Sequence, residues 1–559
     1  MSTTTETTVA TAIASTFKNA GVDRLFLLTG GDQPLWIALR DAGIKMVVGR
    51  SEPSAVYMAD GFARASGKVA ATYGQAGPGA ANVAAALADA HWAQSPVLAL
   101  TGATATDALH AFEYQDIDQY AMFAPVTKWN GRASEPQQVA GLLRQGLDAA
   151  RTKSMGPTHL DVPKNYFAAK VNAAPDNPEL EVVSSPTNAS AEVTRIATAL
   201  RGAKSPVILV GEGVRFASAG EEVSAMAKAA GIPIVVTMGG KPAILTAHPN
   251  FCGVVGRYSA VTANHLLAKA DCVLALGSRL GGLATNGYSL PKRNAVLIQV
   301  DHDDAAFVGR FQPDLAVKAD IRDVAPALRG LFEESGAVSS AQWLSDCVKG
   351  ASAWREGLLQ KVRESAHAAH LSPLVVVNEL GMYAKDITLV ADTGYMAAWT
   401  GVLFPVERPN AFFRAVGSLG WALPASMGVQ MARKEKVVCI TGDGGAGYHL
   451  ADIETAVRYK LPLVIIVLDN MSLAFEYHEQ KYRWNGNVVA EANDFGAVDF
   501  ALAAKALGAK GFTANDRATF RDAIKQALEL DGPSVIHAGV DKEAFPPVTN
   551  FDAVMTRTI

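Results

Sequence analysis

Short apolar runs alternate with segments of helical period along most of this chain. Residues 436–470 show it best. Val437, Val438, Cys439 and Ile440 form one apolar run, and Leu450, Ile453, Ala456 and Val457 recur at helical spacing. A second apolar run over 461–468 is β-branched in character and ends at Asp469-Asn470. A buried strand, a helix and another buried strand predict a βαβ unit in a parallel sheet. Gly442-Asp443-Gly444-Gly445, between the first strand and the helix, is expected to be a tight turn that glycine permits.

The same alternation predicts a helix over 9–20 and strands over 24–28, 45–48, 69–73 and 96–100. Residues 170–190 are polar and proline-rich, as a linker would be. Further strands follow over 206–210, 233–236, 272–276 and 295–301, and a helical connector over 336–370. A third stretch opens with a helix near 372 and a strand over 387–390. The expected fold is α/β, with three doubly wound parallel-sheet domains over 1–170, 190–335 and 370–559.

Composition narrows the function classes. A chain of 559 residues, 49% apolar, suits about three domains with sizeable cores. The net charge of −4 gives no field that favours nucleic acid. Cys252, Cys272, Cys347 and Cys439 are scattered, which argues against a zinc site or a disulfide scaffold. The N-terminus has no basic region followed by an apolar core, and no apolar run approaches the ~18–20 residues of a membrane span. A cytoplasmic protein without a membrane partner is expected.

Ligands of a parallel sheet sit at the carboxyl ends of its strands. Asp443 and Asn470 both fall there, and a carboxylate and an amide oxygen beside a glycine turn can hold a small hard cation with help from further oxygens. This stretch resembles the motif of the thiamine-diphosphate enzymes: GDG, a helix, then an asparagine pair. Glu52 and its surroundings (Ala55, Ala59, Gly61, Ala63, Arg64, Gly67) are similar to that family's HExxAxxxAxGxARxTG, with Ser51 and Ser66 departing from it. Residues 75–82 resemble its TSGPGATN, and 417–425 its GTMGFGLPAA, with Leu419 in place of methionine. The resemblance covers the whole chain and leans towards the acetolactate synthase, benzoylformate decarboxylase and benzaldehyde lyase branch.

It implies a pyrimidine-binding first domain, a central domain and a diphosphate-binding third domain. Mg²⁺ would be held by Asp443, Asn470 and the backbone carbonyl of Ser472. The cofactor would be cradled by Gly394, Tyr395, Met396, Gly417, Gly442, Gly444 and Gly445, bent over Leu419 and activated by Glu52. Gln115 and Glu476 are the expected catalytic partners, with Gly31, Asp32, Tyr73, His110 and His478 as candidate substrate contacts. The Gly211-Glu212-Gly213 turn is expected to hold neither FAD nor ADP. Substrates would be small 2-oxo acids, aldehydes or acyloins. Active sites would lie between subunits of a homodimer or homotetramer, because Glu52 and Asp443 come from different domains. The implied reaction is decarboxylation, carboligation or both. The alternatives are an acyloin C–C lyase and, in another class, a catalytically silent cofactor-binding or assembly protein.

Overall fold

The computed structural model describes residues 6–109, 111–152, 154–172, 190–365 and 370–548. Its scaffold is three six-stranded sheets whose neighbouring strands all pair parallel. In the first sheet the spatial order is Lys45–Val48, Arg24–Leu27, Ala70–Gly74, Val97–Ala103, Thr158–Pro163, Trp129–Arg132. Numbered along the chain this is 2-1-3-4-6-5, and the third sheet repeats it from Phe412–Arg414 to Lys510–Ala514. The central sheet differs. Its order is 3-2-1-4-5-6, with Pro206–Val210 beside Cys272–Leu276 at the reversal. The central strands read as continuous apolar runs because helices cover both faces; Val437, Val438, Cys439 and Ile440 are fully buried.

Each sheet has one crevice where the strand order reverses, which is where ligands gather in such folds. In the third sheet it lies between the ends of Ile387–Ala391 and Lys436–Gly442. In the first it lies between Arg24–Leu27 and Ala70–Gly74. The central crevice is filled by the chain itself. A Cβ on Gly211 would lie 2.2 Å from the Gly277 carbonyl oxygen, and one on Gly213 would lie 2.7 Å from Gly277 Cα. The expected glycine turn is there the start of a helix, Glu212–Phe216, packed on backbone.

The first and third domains interlock through two helices, Glu52–Ser66 and Ala422–Ala432. Their backbones nearly touch: a Cβ on Gly428 would fall 1.9 Å from the Met58 carbonyl oxygen, and one on Gly61 2.1 Å from that of Ala425. Beside this contact Arg64 bonds Asp60 and Asp89, and Trp421 Nε1 donates to Asp60 over 2.8 Å. All four side chains are buried. Ser54 Oγ lies 2.8 Å from His449 Nδ1 and also bonds Asp452. No helix among the described residues is long and apolar enough to cross a membrane.

Candidate active site

Asp392 organises the crevice of the third sheet. It follows the strand Ile387–Ala391 and is wholly buried. Its carboxylate accepts hydrogen bonds from the Thr393 N–H at 2.9 Å, the Gly420 N–H at 3.1 Å and Thr441 Oγ1 at 2.7 Å. One side chain therefore ties together the three loops expected to cradle a cofactor. Burial pushes its carboxyl up to about 6 against those hydrogen bonds.

The glycine-rich stretch is not the expected turn. Asp443 begins a helix, Asp443–His449, a second short helix follows at Asp452–Arg458, and Gly442, Gly444 and Gly445 keep ordinary negative φ. Glycine is required for space: a Cβ on Gly445 would lie 2.4 Å from Thr441 Oγ1 and 2.5 Å from Asp392 Oδ2. Gly394 needs glycine for conformation, with φ 65° at the start of the helix Tyr395–Leu403, which no side chain caps. Such a helix end leaves backbone N–H groups for an anion.

Asp443 and Asn470 converge. The Ser472 N–H donates to Asp443 Oδ2 at 3.0 Å and to Asn470 Oδ1 at 3.2 Å. Burial pushes Asp443 up to about 7, and neighbouring Asp469 adds to the shift. A carboxylate and an amide oxygen gathered on one N–H form a hard-oxygen donor set, which fits Mg²⁺. Among the described residues no group of three or more His, Cys, Asp or Glu is placed to hold a metal. Further ligands must then come from backbone, water or a bound diphosphate.

These groups line a cavity of about 330 Å³. Of the predicted residues it holds Gly394, Tyr395, Met396, Leu419, Gly442, Asp443, Gly444, Gly445, Asn470, Ser472 and Glu476. Burial raises the Glu476 carboxyl, and Glu479 adds to it. Tyr258, Trp399 and Asp541 also line the cavity and were not expected from sequence, and Asp392, which opens the loop expected to cradle the diphosphate, lines it too. Gly417 does not line it; its N–H donates to Asp89 Oδ2 at 3.0 Å, which anchors the loop from the first domain. His478 is buried behind Tyr395, its Nδ1 3.0 Å from that phenol oxygen, and burial pushes it down to about 4. It does not line the cavity.

The first domain gathers a second group at its own strand ends. Asn82 Nδ2 donates to Glu52 Oε2 at 3.0 Å, and Gln75 Nε2 to Gln115 Oε1 at 3.3 Å. A Cβ on Gly30, next to Gly31, would lie 2.6 Å from Gln75 Oε1. Tyr73 is fully enclosed and its hydroxyl donates to Asp32, which burial pushes up to about 6. Tyr73 thus supports Asp32 from within the core. None of Glu52, Gln115, Gly31, Asp32 and Tyr73 lines the cavity of the third domain of the same chain. His110 lies outside the described residues.

Comparison with known proteins agrees with this geometry. Residues 7–122 match the family profile "Thiamine pyrophosphate enzyme, N-terminal TPP binding domain". Residues 193–328 match the family's central domain and 392–538 its C-terminal TPP binding domain. A probable acetolactate synthase large subunit of Methanococcus aeolicus is 27% identical over 556 residues, covering 95% of this chain and 92% of that protein. A sulfoacetaldehyde acetyltransferase of Castellaniella defragrans is 29% identical, covering 94% and 91%. Acetolactate synthase isozyme 1 large subunit of Escherichia coli (strain K12) is 27% identical, covering 92% and 90%. With all three domains matched in order, the chain belongs to the thiamine pyrophosphate enzymes.

Proposed function

We propose that this protein is an acetolactate synthase-like enzyme, dependent on thiamine diphosphate and Mg²⁺, that acts on 2-oxo acids by decarboxylation, carboligation or both. The observation that carries this is the meeting of Asp443, Asn470, Ser472, the uncapped helix end at Gly394 and Glu476 in one cavity. Bound thiamine diphosphate supplies a carbon nucleophile that adds to a carbonyl and then takes up the electron pair of the bond that breaks. Asp443, Asn470 and the Ser472 carbonyl hold the metal. The amides from Gly394 to Met396 hold the diphosphate, and Leu419 sets the cofactor's shape. Glu476, whose carboxyl burial and the neighbouring Glu479 raise, holds or moves a proton at the substrate.

Glu52 hydrogen-bonds the aminopyrimidine ring from a second copy, so the enzyme is at least a homodimer. Exposed apolar side chains around both half-sites support this. Leu109, Phe112, Tyr114 and Ile117 flank Gln115, while Met471 and Phe495 flank Asn470. A second reading, acyloin cleavage, is favoured by one observation: among the described residues that line the cavity there is no Lys or Arg to receive a substrate carboxylate.

The test is a panel of 2-oxo acids and acyloins, with CO₂, aldehydes and ligation products read together. The expected result is CO₂ release that needs both thiamine diphosphate and Mg²⁺. Acyloin cleavage with every 2-oxo acid ignored overturns the first reading for the second. Glu52→Gln should lower the rate by about 10² or more; an unchanged rate removes Glu52 from the mechanism. A fully active monomer in sedimentation refutes the shared site.

A further inference from the structure

Among the described residues, Tyr258 is the only one of the central domain that lines the cavity. It sits just past the strand Phe251–Val254, in a loop that is held firmly. The Gly256 N–H donates to Asn264 Oδ1 at 2.9 Å, and Asn264 Nδ2 returns a bond to the Gly256 carbonyl at 3.1 Å. The Arg257 N–H donates to the Leu283 carbonyl at 2.8 Å. Gly256 has φ 102°, and a Cβ there would lie 2.2 Å from the Leu283 carbonyl oxygen, so the turn is specific to glycine. The ring of Tyr258 packs on the apolar core of the third domain.

The Tyr258 hydroxyl makes no hydrogen bond to any described residue, and neither does the Glu476 carboxylate. Burial raises the Tyr258 phenol, Arg257 and Arg414 oppose the rise, and Glu476 adds to it. Two polar groups from different domains therefore face one cavity, Tyr258 half-buried and Glu476 exposed. The acids at the cavity wall, Asp392, Asp443, Glu476 and Asp541, are accompanied by no cation among its described lining. A neutral donor is what such a wall can offer to a substrate oxygen.

We propose that Tyr258 is a substrate-recognition residue whose hydroxyl donates a hydrogen bond to a carbonyl or carboxylate oxygen of the substrate. This rests on the function proposed above. It makes the central domain, which the motifs leave without chemistry, the source of part of the enzyme's specificity. Any substrate held there presents an oxygen acceptor to Tyr258 while its apolar portion meets Trp399, Leu419 and Phe475.

The test is Tyr258→Phe, which keeps the ring and removes only the hydroxyl, in the enzyme loaded with thiamine diphosphate and Mg²⁺. Expected is a fall in kcat/KM of about tenfold to a hundredfold, carried mainly by KM. Thiamine diphosphate affinity by fluorescence titration and the thermal midpoint should stay unchanged. KM measured separately for the 2-oxo acid and for the carbonyl acceptor shows which of them Tyr258 holds. Unchanged kcat/KM overturns the proposal, as does a fall matched by lost cofactor affinity. Calorimetric titration with oxamate, a 2-oxo acid isostere, gives a readout without turnover: the parent should bind at least tenfold more tightly than the variant. If the parent turns over none of the panel, the function reading fails, and the oxamate titration alone judges Tyr258; equal or absent binding in both proteins then overturns it.

Discussion

Asp89 lies in the first domain, yet it holds a loop of the third. Its carboxylate, 2% exposed, accepts from the N–H groups of Val416 at 3.1 Å, Gly417 at 3.0 Å and Ser418 at 2.9 Å, and from Arg64 at 2.7 Å. Burial opposes its ionisation, but Arg64 and the loop N–H groups outweigh that and keep the carboxyl below its usual range. The loop leads directly to Leu419 in the cavity wall. Asp89→Asn keeps the size and removes the charge. With the amide NH₂ towards the loop it meets three N–H donors; with the NH₂ towards Arg64 it meets a guanidinium. Breaking one side of a buried pair of this kind costs about 3–5 kcal/mol. If only a third of that, about 1.4 kcal/mol, falls on the loop in the bound state, the Kd for thiamine diphosphate rises about tenfold. Fluorescence titration at saturating Mg²⁺, alongside a thermal melt, measures both parts. Asp304→Asn is the control, because the Asp304 side chain is 73% exposed and pairs with Lys318 at the surface, where an ion pair contributes ~0–1 kcal/mol. A Kd within about twofold of the parent and an unshifted melt would refute the reasoning.

Gly445→Ala places a methyl group 2.4 Å from Thr441 Oγ1 and 2.5 Å from Asp392. It should cost about 1–3 kcal/mol and abolish the rise in melting temperature caused by cofactor and Mg²⁺. Asn470→Ala removes one of the two side-chain oxygens gathered on the Ser472 N–H, so the Mg²⁺ concentration for half-maximal cofactor binding should rise at least about tenfold. His159 is fully buried between Thr101 and Asn130, 2.7 Å from each, and burial, with Arg132, pushes it down to about 3. Its folded pKa is depressed, so the stability it contributes is complete above about pH 6.5 and is lost as pH falls towards 3. Between pH 6.5 and 4.5 the unfolded state gains about 2–3 kcal/mol on this account. Denaturant midpoints across that range should fall for the parent and fall less for His159→Gln; parallel curves would show that His159 is not the group.

Much of the scaffold was legible because a strand buried on both faces leaves a local mark. Lys45–Val48, Pro206–Val210 and Cys272–Leu276 appear in the structure where the apolar runs placed them. The loops expected to cradle a cofactor were legible because each joins a strand end to glycines at fixed spacing. The role of the glycines was less so. Gly445 was expected to supply a turn, but it supplies room for Asp392, a neighbour 53 positions earlier that no local pattern announces. His478 was a candidate substrate contact, but helical geometry turns it into an aromatic pocket behind Tyr395.

From the sequence alone came the α/β class, Asp443 and Asn470 as the expected metal pair, Glu52 as the expected distant carboxylate, and the resemblance to thiamine-diphosphate enzymes. Each rests on residues adjacent in the chain or on a motif that keeps its own spacing. Only the tertiary structure decided the strand orders, the self-filled crevice of the central domain, the clasp of Asp89 on the loop at 416–418, and the presence of Tyr258 in the cavity that Glu476 lines. These are contacts between segments tens to hundreds of residues apart. Their partners are chosen by the packing of whole sheets and helices, and neither partner carries a mark of the other in its own neighbourhood.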